Sequence, residues 1–409
     1  MSQTDLLHAV SRSIDYLAPS AVELRRDLHA HPELSWQETR TTSVVAQLLA
    51  EAGVPLRMLR GSGLVADLGA EHPAYRVALR ADLDALPVRE VTGLDYASTT
   101  DGICHACGHD AHVAILVCAG LALARHNDAL RAQGLAVRLV FQPAEEMMPG
   151  GALSAIEQGV LDGVDTIFAL HVDPSLDVGL VGLREGPITA AADSVKVTLS
   201  GRGGHTSRPH LTEDLTFALA KVVSEVPAAL SRRMDPRAGL ALVWGRIEAG
   251  RAHNVIPSSG ECAGTLRMLD AGAWETVGPL LQEVVESVVA PYAVTAKLDH
   301  VRGVPPVVNS AVGVALLREA ALGIGLEPTS TEQSLGGEDF SWYVQRVGGA
   351  MARLGTRAPG GPTYDLHQGD LIVDESALAI GAKLLAGAAV RASRAGSRPT
   401  GVATRPLRG

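Results

Sequence analysis

Aromatic residues are scarce in this 409-residue chain: phenylalanine, tryptophan and tyrosine together make up 3% of it, although 46% of its residues are hydrophobic. A core must therefore be built from small aliphatic side chains that pack closely, which suits helices laid on sheets. The length exceeds that of one ordinary domain and predicts two or three.

A basic excess is also lacking. The chain has 35 lysines and arginines against 45 aspartates and glutamates, a net charge of −10. No basic stripe appears before the C-terminal tail, which excludes a nucleic-acid-binding surface. The longest apolar run, 113–124, is shorter than the roughly 20 residues that a membrane helix needs, so no membrane association is expected. Residues 1–30 carry no secretory signal pattern.

Cysteines are few. The chain has four, too few for a disulfide framework at this length. We therefore expect a reducing cytoplasmic compartment, in which a thiolate stays available as a metal ligand.

Short apolar runs bounded by glycine or proline alternate with helical patterns through the first half of the chain. They predict strands and helices in alternation, which favours a mostly parallel sheet with helices on both faces, an α/β fold. The predicted strands are 63–68, 75–79, 137–141 and 166–171, and one predicted helix is 151–157.

The order of elements changes near residue 190. From there the patterns predict strand, helix, two strands, helix and strand, the βαββαβ order of a small ferredoxin-like α+β domain. We place this inserted domain at 189–303, within a catalytic domain formed by 1–188 and 304–395. The remaining residues, 396–409, are rich in arginine and glycine and are expected to be disordered.

The densest group of metal-binding side chains is at 104–112, Cys-His-Ala-Cys-Gly-His-Asp-Ala-His. Thiolate and imidazole are preferred ligands of zinc and of the later first-row metals. Cys107 and His109 are the predicted ligand pair, because the glycine between them lets the backbone turn sharply. Two alternatives are a redox pair formed with Cys104 and histidines that only flank the following helix.

Further polar side chains follow the predicted strands. Asp82 and Asp84 come after one strand and Glu145 and Glu146 after another, where ligands collect in open α/β sheets. Neighbouring residues in an extended chain point in opposite directions. One glutamate can therefore bind metal while the other faces the substrate as a general base; the alternative is two solvated glutamates on a loop.

Histidines supply the remaining candidates. His171 ends a strand and His367 lies later in the chain, although a lone strand-end histidine is more often structural. Together with Cys107, His109 and Glu146 they make five candidate ligands. That number fits a dinuclear centre, whose metals lie about 3.5–4 Å apart.

Ordered sequence blocks extend over nearly the whole chain: 28–35, 80–87, 105–112, 141–146, 203–210, 254–257, 264–267 and 337–341. With these blocks the chain resembles the M20 metallopeptidase and aminoacylase superfamily. The resemblance is to the branch of N-acyl-amino-acid amidohydrolases, which includes hippurate hydrolases and auxin-conjugate hydrolases.

The resemblance implies a hydrolase that cleaves the amide bond of N-acyl amino acids with a metal-activated water. It implies two divalent ions, for which manganese, zinc, nickel and cobalt all suit the ligands. Cys107 matches a thiolate that bridges both ions, and Glu145 matches the general base and acid. The other matching ligands are His109, Glu146, His171 and His367.

Asp82 and Asp84 match a block that carries a metal-binding histidine in other branches. Here Asp82 replaces that histidine. Both aspartates are therefore predicted to orient the ligands rather than to bind metal.

The inserted segment resembles the lid or dimerisation domain of the family, which implies a homodimer or a dimer of dimers. His205 matches a histidine that stabilises the oxyanion in the neighbouring subunit. Asn254 and Arg267 match residues that hold the amide oxygen or carboxylate of the substrate. The alternatives are a turn residue for Asn254 and a surface salt bridge for Arg267.

Two other functions compete with N-acyl amino acid hydrolysis. A dipeptidase or carbamoyl-amide hydrolase of the same superfamily would use the same metals with another substrate pocket. A metal-dependent small-molecule binder would keep the fold without turnover. A binder has no need of Glu145 and His205, which argues against it.

Overall fold

The computed structural model describes residues 1–392, so the tail predicted to be disordered at 396–409 lies outside the described residues. Contacts divide the chain into two compact units. The first comprises Met1–Ile188, Val308–Glu332 and the chain from Asp339 onward, and the second comprises Thr189–Val307 and Gln333–Glu338. The main segment of the second unit begins at the residue predicted for the inserted domain and ends at Val307, where 303 was predicted, and the second unit has a further segment at Gln333–Glu338.

Within the described chain there are ten α-helices and three short 3-10 helices. The α-helices are α1 (Gln3–Ala30), α2 (Thr39–Glu51), α3 (His109–Ala124), α4 (Asn127–Ala132), α5 (Gly151–Glu157), α6 (Leu215–Arg233), α7 (Ala271–Val289), α8 (Ala311–Gly323), α9 (Ser341–Val347) and α10 (Ala377–Ala392). The 3-10 helices are Pro209–Leu211, Pro236–Ala238 and Ala290–Tyr292.

Sixteen strands are present in the same residues. They are β1 (Leu56–Met58), β2 (Leu64–Gly69), β3 (Tyr75–Asp82), β4 (Leu135–Gln142), β5 (Thr166–Asp177), β6 (Val181–Leu183), β7 (Gly186–Pro187), β8 (Ala191–Ser200), β9 (Gly204–His205), β10 (Ala241–Ala249), β11 (Val255–Ile256), β12 (Ser259–Met268), β13 (Thr295–Val304), β14 (Val308–Asn309), β15 (Thr329–Ser330) and β16 (Gly349–Arg357).

The first unit is built on an eight-stranded sheet in the order β1-β2-β4-β3-β5-β16-β6-β15. Its four central strands, β4, β3, β5 and β16, run parallel to one another. Antiparallel pairs occur between β1 and β2, β2 and β4, and β16 and β6. The predicted α/β class with a mainly parallel sheet is confirmed. The carboxyl ends of the parallel strands meet at one edge, where the polar residues collect.

Helices α1, α3, α8 and α10 pack against one another on this sheet. Helix α3 is apolar all round its axis and almost wholly buried, as expected of a core helix. Glycines allow its close approach to neighbouring elements. A Cβ at Gly120 would lie 2.4 Å from Leu139 Cδ1, and one at Gly381 of α10 would lie 2.8 Å from Ile115 Cδ1. Small side chains thus provide the tight packing that the scarcity of aromatics demands.

The second unit contains a four-stranded antiparallel sheet in the order β10-β12-β8-β13. Its strands and the two helices α6 and α7 follow one another along the chain as β8-α6-β10-β12-α7-β13, with the two-residue strands β9 and β11 paired beside them. Strand β8 alternates buried residues with less buried ones, because one face of this sheet packs on the helices.

Among the described helices, none is long and apolar enough to cross a membrane.

Candidate metal centre

A sharp turn at Gly108 begins the candidate site. Gly108 has φ 76° and caps α3, and a Cβ there would lie 2.6 Å from Val172 Cγ2. Both the left-handed conformation and the close approach require glycine. The turn separates Cys107 from His109, and both side chains are buried.

The five predicted ligands meet in two groups that share Cys107. In one group Cys107 lies with His109 and His171, and in the other with Glu146 and His367; within each group the ligand atoms lie within 4.8 Å of one another. Cys107 Sγ is 3.5 Å from His171 Nε2, and His367 Nε2 is 3.3 Å from Glu146 Oε1. The structure therefore brings together side chains that are up to 260 residues apart in sequence.

The buried histidines have fixed ring orientations. His109 Nδ1 lies 2.8 Å from the Asp84 carbonyl oxygen, and His171 Nδ1 lies 2.8 Å from the Val172 carbonyl oxygen. A carbonyl only accepts hydrogen bonds, so each Nδ1 carries a proton, and in the neutral ring each Nε2 keeps a lone pair. Such outer hydrogen bonds fix the tautomer of metal-binding histidines.

His367 is held differently. It is exposed and has φ 62°, a conformation that non-glycine residues rarely adopt. Its backbone N–H donates to the Ala106 carbonyl at 2.8 Å. This bond connects the His367 segment to the residue that precedes Cys107.

Asp84 supports both predicted glutamates. Its carboxylate accepts hydrogen bonds from the backbone N–H groups of Glu145 at 3.1 Å and Glu146 at 3.0 Å, and from Ser35 Oγ at 2.7 Å. The orienting role of Asp84 stays a prediction. Glu145 itself is buried, 5% exposed, and its carboxylate lies in a group with His109 and Glu146.

Asp82 accepts a hydrogen bond from His112 Nδ1 at 2.6 Å, and His112 Nε2 in turn accepts from the Val172 N–H at 3.0 Å. Arg80 Nη1 lies 2.6 Å from the other oxygen of Asp82. Burial alone would raise the pKa of Asp82, but its interactions with His109, Arg80 and His112 outweigh burial and hold that pKa well below its usual value. Asp82 also shares a possible ligand group with His109 and His112.

Arg80 is a buried residue of the site that sequence reasoning missed. Besides Asp82, it donates to Gln142 Oε1 at 2.9 Å and to Asp339 Oδ1 at 2.7 Å, so it connects the ends of β3 and β4 with the loop before α9. The signal was present, since Arg80 and Asp339 both lie in the ordered sequence blocks. A single arginine in a predicted strand does not show that its side chain is buried and bonded to three other buried side chains.

A second missed group lies beneath the start of α3. Asp110 accepts from Arg25 Nε at 3.0 Å and is 2.9 Å from His29 Nδ1, while His29 Nε2 is 3.1 Å from Glu90 Oε1. Burial alone would lower the pKa of His29, but Asp110 and Glu90 overcome it and raise the pKa to about 9. This buried ion network fixes the N-terminus of the helix that carries His109.

Four buried cysteines are free thiols among the described residues. Cys104, the proposed redox partner of Cys107, belongs to neither ligand group. Burial raises the pKa of Cys104 to about 11, which is the property of an inert thiol rather than of a reactive one.

The three remaining predicted residues lie in the second unit. His205 is exposed on β9, and its Nδ1 lies 3.0 Å from the Ser207 N–H. Because that N–H donates to Nδ1, the proton of the neutral ring is on Nε2. Asn254 is exposed beside β11, and its carbonyl accepts from the Thr206 N–H at 3.3 Å. Arg267 is half-buried and donates to the Leu335 carbonyl of the same unit.

Residues 78–391 match the peptidase family M20/M25/M40. This match covers more than half of the chain. The chain belongs to that family. The predicted resemblance, and the hydrolase class that it carries, are therefore confirmed.

Several known proteins are similar to this M20 chain. A Rhodococcus jostii (strain RHA1) protein named "Putative glutamate--cysteine ligase 2-3" is 49% identical over 89% of the chain, which spans only 46% of that protein. An N-acetyl-L-cysteine deacetylase of Bacillus subtilis (strain 168) is 36% identical, with 90% of this chain and 86% of that protein aligned. A solved Bacillus subtilis structure, described as a dinuclear metal-binding peptidase of the M20 family, has a TM-score of 0.81 and 32% identity, covering 93% of this chain and 99% of its own.

Proposed function

We propose that this chain is a metal-dependent amidohydrolase that cleaves the amide bond of N-acyl amino acids. The observation that carries the proposal is the meeting of two potential ligand groups at Cys107, with the buried carboxylate of Glu145 beside them. The similarity to an N-acetyl-L-cysteine deacetylase supports the substrate class.

The side chains fit two divalent ions. His109 Nε2 and Glu146 Oε1 are buried and make no hydrogen bond in the described part of the chain, although Glu146 Oε1 lies 3.3 Å from His367 Nε2. Buried polar atoms without a hydrogen bond are costly unless a cation binds there. Cys107 would be shared by both ions. One group would add His109 and His171, and the other would add Glu146 and His367.

Thiolate, imidazole and carboxylate together suit manganese, zinc, nickel or cobalt. When bound, the ions would supply Lewis acidity, lowering the pKa of a water and polarising the amide carbonyl. Asp84 would orient the ligand His109 through its carbonyl, which accepts from His109 Nδ1. Asp82 would act from outside the ligand set, through His112 and through its position 3.8 Å from His109 Nε2.

Glu145 would move the protons of the reaction. Its carboxylate would accept a proton from the attacking water and then donate that proton to the nitrogen of the leaving amine. The same carboxylate serves as base and then as acid, so each turnover returns it to its starting state. Asp84 holds the Glu145 backbone, so the carboxylate needs little reorganisation between the two transfers.

His205 would stabilise the oxyanion in a neighbouring subunit of a homodimer or a dimer of dimers. The ring suits that role, because Ser207 occupies Nδ1 and leaves the Nε2 proton available for donation. Asn254 and Arg267 would hold the amide oxygen or carboxylate of the substrate. A reducing cytoplasm would keep the Cys107 thiol available.

The test is hydrolysis of a panel of N-acetyl-, N-benzoyl- and long-chain-acyl amino acids by metal-loaded protein, with dipeptides and carbamoyl amides alongside. We expect cleavage of at least one N-acyl amino acid, with a higher kcat/KM than for any dipeptide. Cleavage of dipeptides or carbamoyl amides alone would overturn the proposed substrate class.

A further inference from the structure

Glu38 is a fully buried carboxylate that does not cap its own helix. It immediately precedes α2 and is 0% exposed, yet its side chain makes no hydrogen bond to the helix amides. Glu33 performs that task, accepting from the N–H groups of Arg40 at 2.9 Å and Thr41 at 2.8 Å. The Glu38 carboxylate therefore serves another part of the molecule.

That part is the loop which carries the two glutamates of the site. Glu38 Oε1 accepts from the Ala144 N–H at 2.7 Å, and Oε2 accepts from Ser62 Oγ at 2.6 Å. Ala144 has φ 53°, in the left-handed region that an alanine rarely adopts. Its carbonyl accepts from the Gly151 N–H at 2.8 Å. Such a conformation persists only where surrounding contacts hold it.

Two buried carboxylates thus hold three successive amides. Glu38 holds that of Ala144, and Asp84 holds those of Glu145 and Glu146. Rotation of the backbone at any of these residues would break one of the bonds. The directions of the Glu145 and Glu146 side chains are consequently set from behind the loop.

The two carboxylates share one supporting segment. Ser35, three residues before Glu38, donates to Asp84 Oδ2 at 2.7 Å. The segment between α1 and α2 therefore contacts the glutamate loop directly through Glu38 and indirectly through Asp84.

We propose that Glu38 is a positioning residue which, through the Ala144 amide, fixes the orientation of Glu145 and Glu146. The inference rests on the proposed function, in which Glu145 transfers protons and Glu146 holds metal. Glu38 belongs to none of the potential ligand groups, and it reaches the glutamate loop through the Ala144 amide, so its effect would be transmitted by the backbone.

The test compares three variants of the full chain. Glu38→Met keeps the length of the side chain and removes both acceptors. Glu38→Gln keeps an acceptor for Ala144, because the Ser62 hydroxyl can turn to accept from the amide nitrogen. Glu33→Met is the matched control, since it removes a carboxylate that accepts from two backbone N–H groups of α2 and from Thr39 Oγ1, none of which belongs to the glutamate loop.

The first readout is hydrogen exchange of the amides at 144–146, which needs no substrate. We expect faster exchange in Glu38→Met, and wild-type exchange there in Glu38→Gln and Glu33→Met. In the kinetic readout, Glu38→Met should lower kcat by about tenfold or more while KM stays within about twofold, because small misplacement of a reacting group is costly. Weaker metal binding through Glu146 should accompany this loss.

Equal exchange and equal kcat in Glu38→Met and Glu33→Met would overturn the positioning role. If Glu38→Met does not fold, Ser62→Ala removes one of the two bonds that hold the carboxylate, and unchanged exchange at Ala144 in that variant would overturn it. Suppose that Glu38→Met shows faster exchange at 144–146 but the wild type cleaves no N-acyl amino acid. That pair of results would support the role of Glu38 and contradict the proposed function.

Discussion

The two compact units present their candidate residues in opposite ways. In the first unit His109 and His171 are buried, and each donates its Nδ1 proton to a backbone carbonyl. In the second unit His205 is exposed on a two-residue strand and accepts at Nδ1 instead. In the first unit the neutral rings have a lone pair on Nε2, which suits the binding of a cation. In the second unit the neutral ring has a proton on Nε2, which suits a hydrogen bond to an anion. The two tautomers therefore suit different roles.

The largest effect is expected at the point that both ligand groups share. Cys107→Ala should weaken metal binding by more than about 100-fold, because loss of a residue that merely orients a ligand already costs about 10–100-fold. Metal content and activity, measured after equilibration at fixed free metal, should fall together. The control is Cys104→Ala, which removes a buried thiol that belongs to neither ligand group. Equal losses in the two variants would contradict the shared ligand.

Glu145→Gln should lower kcat without changing the metal content of the first unit. Loss of a general base costs about 100-fold or more in kcat, while the metal content should remain near that of the wild type. Metal analysis alongside steady-state kinetics measures both. Retention of most activity with metals in place would show that another group transfers the protons.

His205→Ala tests whether the Nε2 proton of His205, in the second unit, takes part in the reaction. Removal of one oxyanion donor costs about 10²–10³-fold in kcat, and this exposed residue should contribute little to stability. His253→Ala, at another exposed histidine of the same unit, is the control and should leave kcat unchanged.

The His205 role also predicts complementation between subunits. Chains carrying His205→Ala, mixed and re-equilibrated with chains carrying Glu145→Gln, should regain part of the activity. No recovery in mixed dimers would show that the histidine does not act across subunits.

The last effect concerns stability rather than activity, and its dependence on pH. The folded-state pKa of His29 is raised to about 9, so its stabilising contribution is complete below its unfolded pKa of about 6.5 and is lost as the pH rises through 9. Relative to His29→Gln, the wild-type free energy of unfolding should decrease over this range by at most about 3.5 kcal/mol, at about 1.4 kcal/mol per pKa unit. Urea unfolding of metal-free protein measures it. His31→Gln, at an exposed neighbour, should show no such difference from the wild type.

Short sequence patterns predicted the structural features that depend only on neighbouring residues. Helix α5 begins and ends at the predicted residues, and the sharp turn expected at Gly108 is present, with the glycine at φ 76°. Glu145 and Glu146 follow a strand of the parallel sheet, as expected from the apolar run before them. In each case a short stretch of sequence determines the result.

The supporting contacts could not be predicted in the same way. The bond of Glu38 to Ala144 spans 106 residues and that of Arg80 to Asp339 spans 259 residues. The residues next to Glu38 and Arg80 in sequence do not distinguish these side chains from solvated charges. Only the fold shows that they are buried and which atoms they meet. The roles of His205, Asn254 and Arg267 stay predictions, because they depend on a substrate and on a second subunit.

The most direct test of the shared dinuclear centre is an anomalous difference map from crystals of the metal-loaded protein. We predict two peaks on either side of Cys107 Sγ, one toward His109 and His171 and the other toward Glu146 and His367. A single peak, or two peaks of which one lacks contact with Cys107, would contradict the account.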